Sequence, residues 1–232
     1  IVRDGSRPTI IKTRVIGQTQ QMLRIDREEA GALDGGVIAD LAERLARLIP
    51  ECGALVVSDY AKGVIGPEVM EVVHGRCKAH GIPWIVDPKP KHRALYQGAT
   101  LMTPNTKETA ELADLPAKTD AEVAAAGHAL LEGLNVQGIL VTRSEKGMAL
   151  FTRDEAHREP WMIPTEAREV FDVSGAGDTV IATIAAAGAA GADWKDAAML
   201  ANAAAGLVVA KVGTATVTPE EILAKYREQE AR

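Results

Sequence analysis

The sequence has little cysteine and no excess of positive charge. Its 232 residues include only two cysteines, Cys52 and Cys77. They are too few for a disulfide framework and lack metal-ligand spacing, so we expect both to be buried and inert in a reducing compartment. The net charge of −6 leaves no basic surface for nucleic acid or anionic lipid. Small molecules are therefore the expected partners, and nucleic acid is not.

Long hydrophobic runs are also missing. The most apolar stretch, residues 180–192, is rich in alanine and glycine and shorter than the roughly 18 residues that cross a bilayer. No signal peptide is recognisable at the start of the sequence. We therefore predict a cytoplasmic protein with no membrane partner.

The sequence does contain enough apolar material for one large α/β domain, because 47% of its residues are hydrophobic and no repeat or linker divides it. Short apolar runs end in polar loops and alternate with helical patterns, which predicts a mostly parallel sheet with helices on both faces. The predicted parallel strands lie at 54–58, 82–86, 100–103 and 138–142.

Other segments complete the predicted domain, 1–232. Residues 9–27 alternate apolar and polar side chains, which predicts a two-stranded flap, or lid, beside an α/β core at about 33–232. Two antiparallel strands and three late helices are also expected. They lie at 148–152 and 161–163, and at 176–190, about 196–212 and from Pro219 onward.

The strongest chemical signal is the run Asp172-Val173-Ser174-Gly175-Ala176-Gly177-Asp178 before an apolar helix. Glycines at a helix N-terminus leave backbone N–H groups free to hold an anion. Asp178, in the first turn, could then accept a proton from an attacking hydroxyl. Alternatively, Asp178 only stabilises the helix dipole and the glycines form an ordinary loop.

This run closely resembles the C-terminal signature of the ribokinase-like carbohydrate kinases of the phosphofructokinase B type. The resemblance implies an ATP-dependent phosphotransferase in which Asp178 is the catalytic base and Gly175, Ala176 and Gly177 hold the moving phosphoryl group. Asn105-Thr106-Lys107-Glu108 matches the family's Asn-x-x-Glu element, so Asn105 and Glu108 are implied to organise Mg²⁺ through water. An amide and a carboxylate one turn apart share a helix face, as a hydrated hard cation requires. Alternatively, Asn105 is simply the N-cap of a helix.

Further segments match the family's nucleotide and cation sites. In Val141-Thr142-Arg143-Ser144-Glu145-Lys146-Gly147, the resemblance places Thr142, Ser144 and Gly147 beside ATP, although a charged β-turn is the alternative. Asn202 matches the wall of the adenine pocket, unless its segment is a plain packing helix. By position, Asp172 and Ser174 are implied to bind a monovalent cation such as K⁺, with residues 213–216 nearby.

Six segments are similar to the family members that phosphorylate D-glycero-D-manno-heptose 7-phosphate at the anomeric C1 hydroxyl, for ADP-heptose and lipopolysaccharide core synthesis. They lie at 12–15, 21–26, 58–63, 86–89, 142–148 and 213–217. The resemblance implies a phosphosugar substrate, and cations on the lid and at strand ends could grip its phosphate. The implied substrate-binding residues are Lys12, Arg14, Arg24, Asp59, Lys62, Asp87 and Lys89. Taken singly, the cations could be solvated surface charges and the aspartates helix caps.

The chain departs from the family at its N-terminal side. Family members carry further strands there and a Gly-Gly element with an aspartate that grips the sugar, and nothing in this sequence matches them. The resemblance also implies a homodimer through the lid strands. The rival readings are a kinase for another sugar phosphate or a nucleoside, and a non-catalytic nucleotide-binding fragment. A dinucleotide-dependent oxidoreductase is excluded, because no Gly-x-Gly-x-x-Gly follows the first strand.

Overall fold

A computed structural model describes residues 1–17, 20–29, 31–153, 159–167 and 170–230. Its eight strands form two sheets. They are β1 (Ile11–Gly17), β2 (Gln20–Arg27), β3 (Leu55–Ser58), β4 (Trp84–Asp87), β5 (Leu101–Met102), β6 (Gly138–Thr142), β7 (Met148–Thr152) and β8 (Trp161–Ile163). The helices are α1 (Gly35–Leu48), α2 (Pro67–His80), α3 (Thr106–Ala113), α4 (Asp120–Gly133), α5 (Ala176–Ala189), α6 (Trp194–Val208) and α7 (Pro219–Glu230).

The main sheet has the order β3-β4-β5-β6-β7-β8. Strands β3 to β6 run parallel, and β7 and β8 add to it antiparallel, as the sequence predicts. Side chains alternate between the faces of each strand, so the sheet divides the core in two. Ile139 and Val141 pack in the cluster that contains α2, α3 and α4, whereas Leu140 packs with α5 and α6. Both faces are therefore covered by helices.

The lid is a separate antiparallel pair. Strands β1 and β2 pair with Lys12 opposite Asp26 and Arg14 opposite Arg24, and a bulge lies between Val15 and Ile16. The two-stranded lid predicted from alternation is thus confirmed. Its apolar side chains are exposed rather than buried in the core, and they are Ile11, Val15, Ile16, Met22, Leu23 and Ile25.

Two local predictions were wrong. Helix α6 ends at Val208 rather than at 212, because the carbonyl of Val209 accepts hydrogen bonds from the amides of Phe171 and Asp172. This contact draws the chain out of the helix and ties it to the segment that leads into α5. Cys52 is exposed, because it follows a short helical turn at the surface, whereas Cys77 is buried on α2 as expected. No helix in the described ranges combines the length and apolarity needed to cross a membrane.

Candidate functional site

The predicted site residues outside the lid gather at the carboxyl edge of the parallel strands. The loops after β3, β4 and β6 emerge there, and the N-terminus of α5 meets them: Asp178 lies within hydrogen-bond distance of Tyr60, just after β3. In open α/β sheets this edge is where ligands bind, because the polar loops that leave the strands converge on it.

The first turn of α5 presents two different faces. Its N-cap, Gly175, has a left-handed backbone with φ 83°, which brings the following amides to the helix start. The N–H groups of Gly177 and Asp178 precede the first acceptor within the helix, so they are available to an anion. Successive residues turn by about 100°, so Asp178 points away from the face shared by Ala176, Gly177 and Val180.

That shared face lines a cavity of about 410 Å³ between α5, α6 and the loop after β6. The cavity wall is mostly apolar, with a few polar groups, and its size suits a nucleoside. It brings together the four residues predicted to lie beside ATP or its adenine and two of the three predicted to hold the phosphoryl group, from three separate segments, whereas Gly175 is not among its lining residues. From the predicted set, the lining includes Thr142, Ser144, Gly147, Ala176, Gly177 and Asn202.

Two residues of this wall are fixed by tight contacts. Gly147 has φ 79°, and a Cβ atom added there would lie 2.0 Å from the carbonyl oxygen of Ile163, so only glycine fits between the loop and β8. Asn202 is buried, and its side-chain amide donates to the carbonyl oxygen of Pro164 at 2.7 Å. Both contacts hold the segment after β8 against the cavity.

On the opposite side of the α5 turn, acidic side chains surround one lysine. Burial raises the pKa of Asp87 to about 6, and the charges of Glu108, Asp178 and Asp59 add to the rise, whereas Lys89 opposes it. The ammonium group of Lys89 contacts the Glu108 carboxylate. Burial alone would lower the pKa of Lys89, but this contact and the nearby carboxylates outweigh it and raise the pKa. We call Asp87, Lys89, Glu108 and Asp178 the carboxylate cluster.

Asn105 and Glu108 form a capping box at the start of α3. The Asn105 side chain accepts from the Glu108 amide at 2.9 Å, and the Asn105 amide donates to Glu108 Oε2 at 3.1 Å. The capping alternative is therefore realised. A role in holding Mg²⁺ stays a prediction. Within the described ranges, no three Asp, Glu, His or Cys side chains are placed to hold a metal ion directly. The side-chain oxygens of Asn105 and Glu108 nevertheless suit a hydrated hard cation that takes its remaining ligands from water and phosphate.

Asp59 is anchored inside the protein. It is 1% exposed, and its carboxylate accepts hydrogen bonds from the Ala61 amide, the Tyr96 hydroxyl and the His92 ring, each at 2.6 Å. Both oxygens are thus engaged by the protein's own groups. The sequence places Asp59 in the sugar site, and that role stays a prediction which would require rearrangement of these bonds.

Lys12 and Arg24, two of the three predicted phosphate-binding cations of the lid, are already paired, and so is Lys62 of the core. Glu28 bonds Lys62 at 2.6 Å and Lys12 at 3.1 Å, and Asp26 bonds Arg24 at 2.8 Å. Lys62 lies in the loop after β3, so Glu28 links the lid to the core. A phosphosugar would have to compete with these carboxylates.

The proposed monovalent-cation residues also come together. The pKa of Asp172 is lowered first by the backbone N–H and the side chain of Ser174, and then by the Gly213 N–H and the charge of Arg14. The loop at 213–216 therefore lies beside Asp172, as the sequence predicts, and the lid strand that carries Arg14 is close enough to act on it. Binding of K⁺ by Asp172 and Ser174 stays a prediction.

Tyr60 is a site residue that the sequence did not single out. Its hydroxyl lies 3.3 Å from Asp178 Oδ1, and burial and the Asp178 charge raise its pKa, so it remains a hydrogen-bond donor. The only available signal was its place at the end of β3, next to Asp59. The contact spans 118 positions of sequence, which no local pattern reveals.

The chain matches the family described as pfkB family carbohydrate kinase over residues 1–221. The bifunctional protein HldE of Desulfatibacillum aliphaticivorans is 46% identical over 226 residues, which cover 97% of this chain and 46% of that protein. The HldE protein of Paramagnetospirillum magneticum is 46% identical over 229 residues, covering 98% of this chain and 46% of that protein. The chain thus spans about half the length of the curated relatives it matches.

Among solved structures, ribokinase of Arabidopsis thaliana complexed with ribose and ATP is similar with a TM-score of 0.73 and 22% identity, over 94% of this chain and 69% of that chain. Phosphofructokinase-2 from Escherichia coli in complex with potassium has a TM-score of 0.75 and 16% identity, over 90% of this chain and 67% of that chain. These similarities confirm the predicted ribokinase-like fold.

Proposed function

Because the chain belongs to the pfkB family of carbohydrate kinases, we propose that it transfers the γ-phosphoryl group of ATP to the anomeric C1 hydroxyl of D-glycero-D-manno-heptose 7-phosphate. The product, heptose 1,7-bisphosphate, would enter ADP-heptose and lipopolysaccharide core synthesis. The choice of sugar is supported by the six segments similar to heptose phosphate kinases and by the 46% identity to HldE proteins.

The observation that carries the reaction class is the position of Asp178. It stands in the first turn of α5, with the nucleotide-sized cavity on one side and the other members of the carboxylate cluster on the opposite side. ATP placed with its base beside Asn202 would direct its phosphates toward the amides of Gly177 and Asp178. Phosphoryl transfer depends on such positioning and on charge stabilisation more than on covalent chemistry.

Each group then has a defined task. Asp178 accepts the proton of the C1 hydroxyl as the oxygen attacks, and Tyr60 orients the Asp178 carboxylate through the hydrogen bond at 3.3 Å. The first-turn amides hold the transferred group, and Lys89 offsets negative charge beside it. Asn105 and Glu108 would hold Mg²⁺ through water, and the ion would supply charge neutralisation on the phosphates, whereas Asp87 would accept hydrogen bonds from the sugar hydroxyls. We also propose that K⁺ binds beside Asp172 and that the chain forms a homodimer through its lid strands.

The test is ADP release from Mg²⁺ and ATP with four acceptors: heptose 7-phosphate, fructose 6-phosphate, ribose and adenosine. We expect turnover with the heptose phosphate alone. Turnover with another acceptor would keep the mechanism and reject the sugar. ATP binding without any turnover would favour the non-catalytic reading.

Asp178→Asn tests the proposed base. We expect kcat to fall by roughly a thousandfold while ATP affinity stays within about twofold. The matched control is Glu68→Gln, which removes an exposed first-turn acid from α2. If Asp178 only stabilised the helix dipole, both variants would lose at most about 1 kcal/mol of stability and keep their turnover. Turnover of Asp178→Asn within tenfold of the wild-type value would reject the assignment.

A further inference from the structure

A buried hydrogen-bond chain runs beneath the carboxylate cluster. The Tyr96 side chain is fully buried, and its hydroxyl donates to Asp59 Oδ2 at 2.6 Å. The same hydroxyl oxygen accepts from the backbone amide of Lys89 at 2.9 Å. Asp59 Oδ2 is also bonded by the ring of His92, again at 2.6 Å. Tyr96 therefore joins the end of β3 to the loop after β4.

This chain of contacts reaches the proposed phosphoryl-transfer site through Lys89. Its amide is bound by Tyr96, and its ammonium group contacts Glu108 in the first turn of α3. The amide contact fixes the backbone from which the lysine side chain extends. The hydroxyl of Tyr96 thus joins the end of β3 to the loop after β4, and the side chain of Lys89 extends this link to the start of α3.

We propose that Tyr96 is a positioning residue for phosphoryl transfer, because its hydroxyl fixes the backbone of Lys89 and thereby the contact of Lys89 with Glu108. The inference rests on the proposed function. Tyr96 is not among the residues that line the nucleotide cavity, and its contact with the carboxylate cluster is the hydrogen bond to the amide of Lys89. Burial, together with the hydrogen bond to Asp59, raises the pKa of Tyr96, and the hydroxyl stays protonated and keeps donating to Asp59.

The test is a double-mutant cycle on kcat. Tyr96→Phe keeps the buried ring and removes only the hydroxyl, and Lys89→Met removes only the charge. We expect each single variant to lower kcat at least tenfold, with the KM for ATP within about twofold, because small displacements of reacting groups cost large factors in rate. The double variant should be no slower than Lys89→Met, since both changes break one line of contacts.

His92→Phe is the matched structural control. It removes a different donor from the same Asp59 oxygen and leaves the amide of Lys89 untouched. Thermal unfolding should show a comparable loss of stability in His92→Phe and Tyr96→Phe, but kcat of His92→Phe should stay within about twofold of the wild-type value. The inference is overturned if the losses in kcat multiply in the double variant. It is equally overturned if His92→Phe is as slow as Tyr96→Phe, because general loosening around Asp59 then explains both.

A readout without sugar separates this inference from the proposed function. If the wild-type protein turns over none of the four acceptors, the proposed function fails. ADP affinity is then measured by calorimetry with and without Mg²⁺. We expect Tyr96→Phe and Lys89→Met to change the ratio of the two dissociation constants in the same direction, by at least threefold, and the double variant to change it no further. An unchanged ratio would overturn the inference.

Discussion

Replacing Asp87 with asparagine should stabilise the protein at neutral pH. Asp87 is surrounded by Glu108, Asp178 and Asp59, and the charge of Lys89 opposes theirs. Its pKa rises from 3.8 to about 6, so the folded state binds the proton more tightly than the unfolded chain does. At about 1.4 kcal/mol for each pKa unit, the ionised carboxylate costs about 3 kcal/mol. Because Asp87 is partly exposed, solvent screening reduces this to about 2 kcal/mol.

The sign of the pH dependence follows from the two pKa values. Above about pH 6 the carboxylate is ionised in both states, and the full cost is present. Below pH 3.8 it is protonated in both states, and the cost disappears. Asparagine resembles the protonated acid at every pH. Asp87→Asn should therefore gain about 2 kcal/mol over the wild-type protein at pH 7.5 and lose most of that gain by about pH 4.

Urea unfolding followed by tryptophan fluorescence measures this difference, because Trp84 lies buried in the same strand. The titrations are run in EDTA, so that no divalent ion neutralises the cluster. At pH 7.5 the melting temperature should also rise by about 4–8 °C. The matched control is Glu43→Gln on the exposed side of α1, which should change stability by less than about 0.5 kcal/mol. A gain in Asp87→Asn that is equal at both pH values, or a loss at pH 7.5, would refute the reasoning.

Three further outcomes test other parts of the molecule. Gly147→Ala should lower the melting temperature by roughly 6–12 °C in a thermal scan, because its Cβ atom would meet Ile163 and its backbone is left-handed; an unchanged melting temperature would contradict this packing. Asn202→Leu should weaken ATP binding by about tenfold in calorimetry, since it removes the bond to Pro164 and a polar group of the cavity wall, and unchanged affinity would place the nucleotide elsewhere. By light scattering, the wild-type protein should be a dimer and Leu23→Glu a monomer, and a monomeric wild-type protein would reject the lid interface.

The sequence predicted the elements well because their signals are local. The apolar run at 138–142 appears as β6 with its bounds unchanged, and the Gly-rich run opens α5 at Ala176, as the positions of the glycines indicate. The grouping of Thr142 and Asn202 in one cavity was also predictable, since they come from recognisable segments that a parallel fold brings to one edge, and their contact with a nucleotide stays a prediction. Local periodicity and family resemblance agreed at these positions.

Other features could not be predicted because they depend on contacts between distant positions. The burial of Asp59 is set by Tyr96 and His92, and these three side chains meet only after two strands have paired. The end of α6 depends on Phe171, a residue far from it in sequence. The pairing of Lys62 with Glu28 likewise joins two segments that share no pattern, so charges that look free in the sequence are already bound.

The two faces of the first α5 turn have a kinetic consequence. The cavity proposed for the nucleotide lies on the face of Ala176, Gly177 and Val180, whereas Asp178 faces Tyr60 on the other side. Under the proposed function, acceptor and nucleotide would therefore approach the point of transfer by separate routes, and neither would block the path of the other. Such an arrangement suits random-order binding with release of either product first, and it leaves the helix start as the one place where the two routes meet.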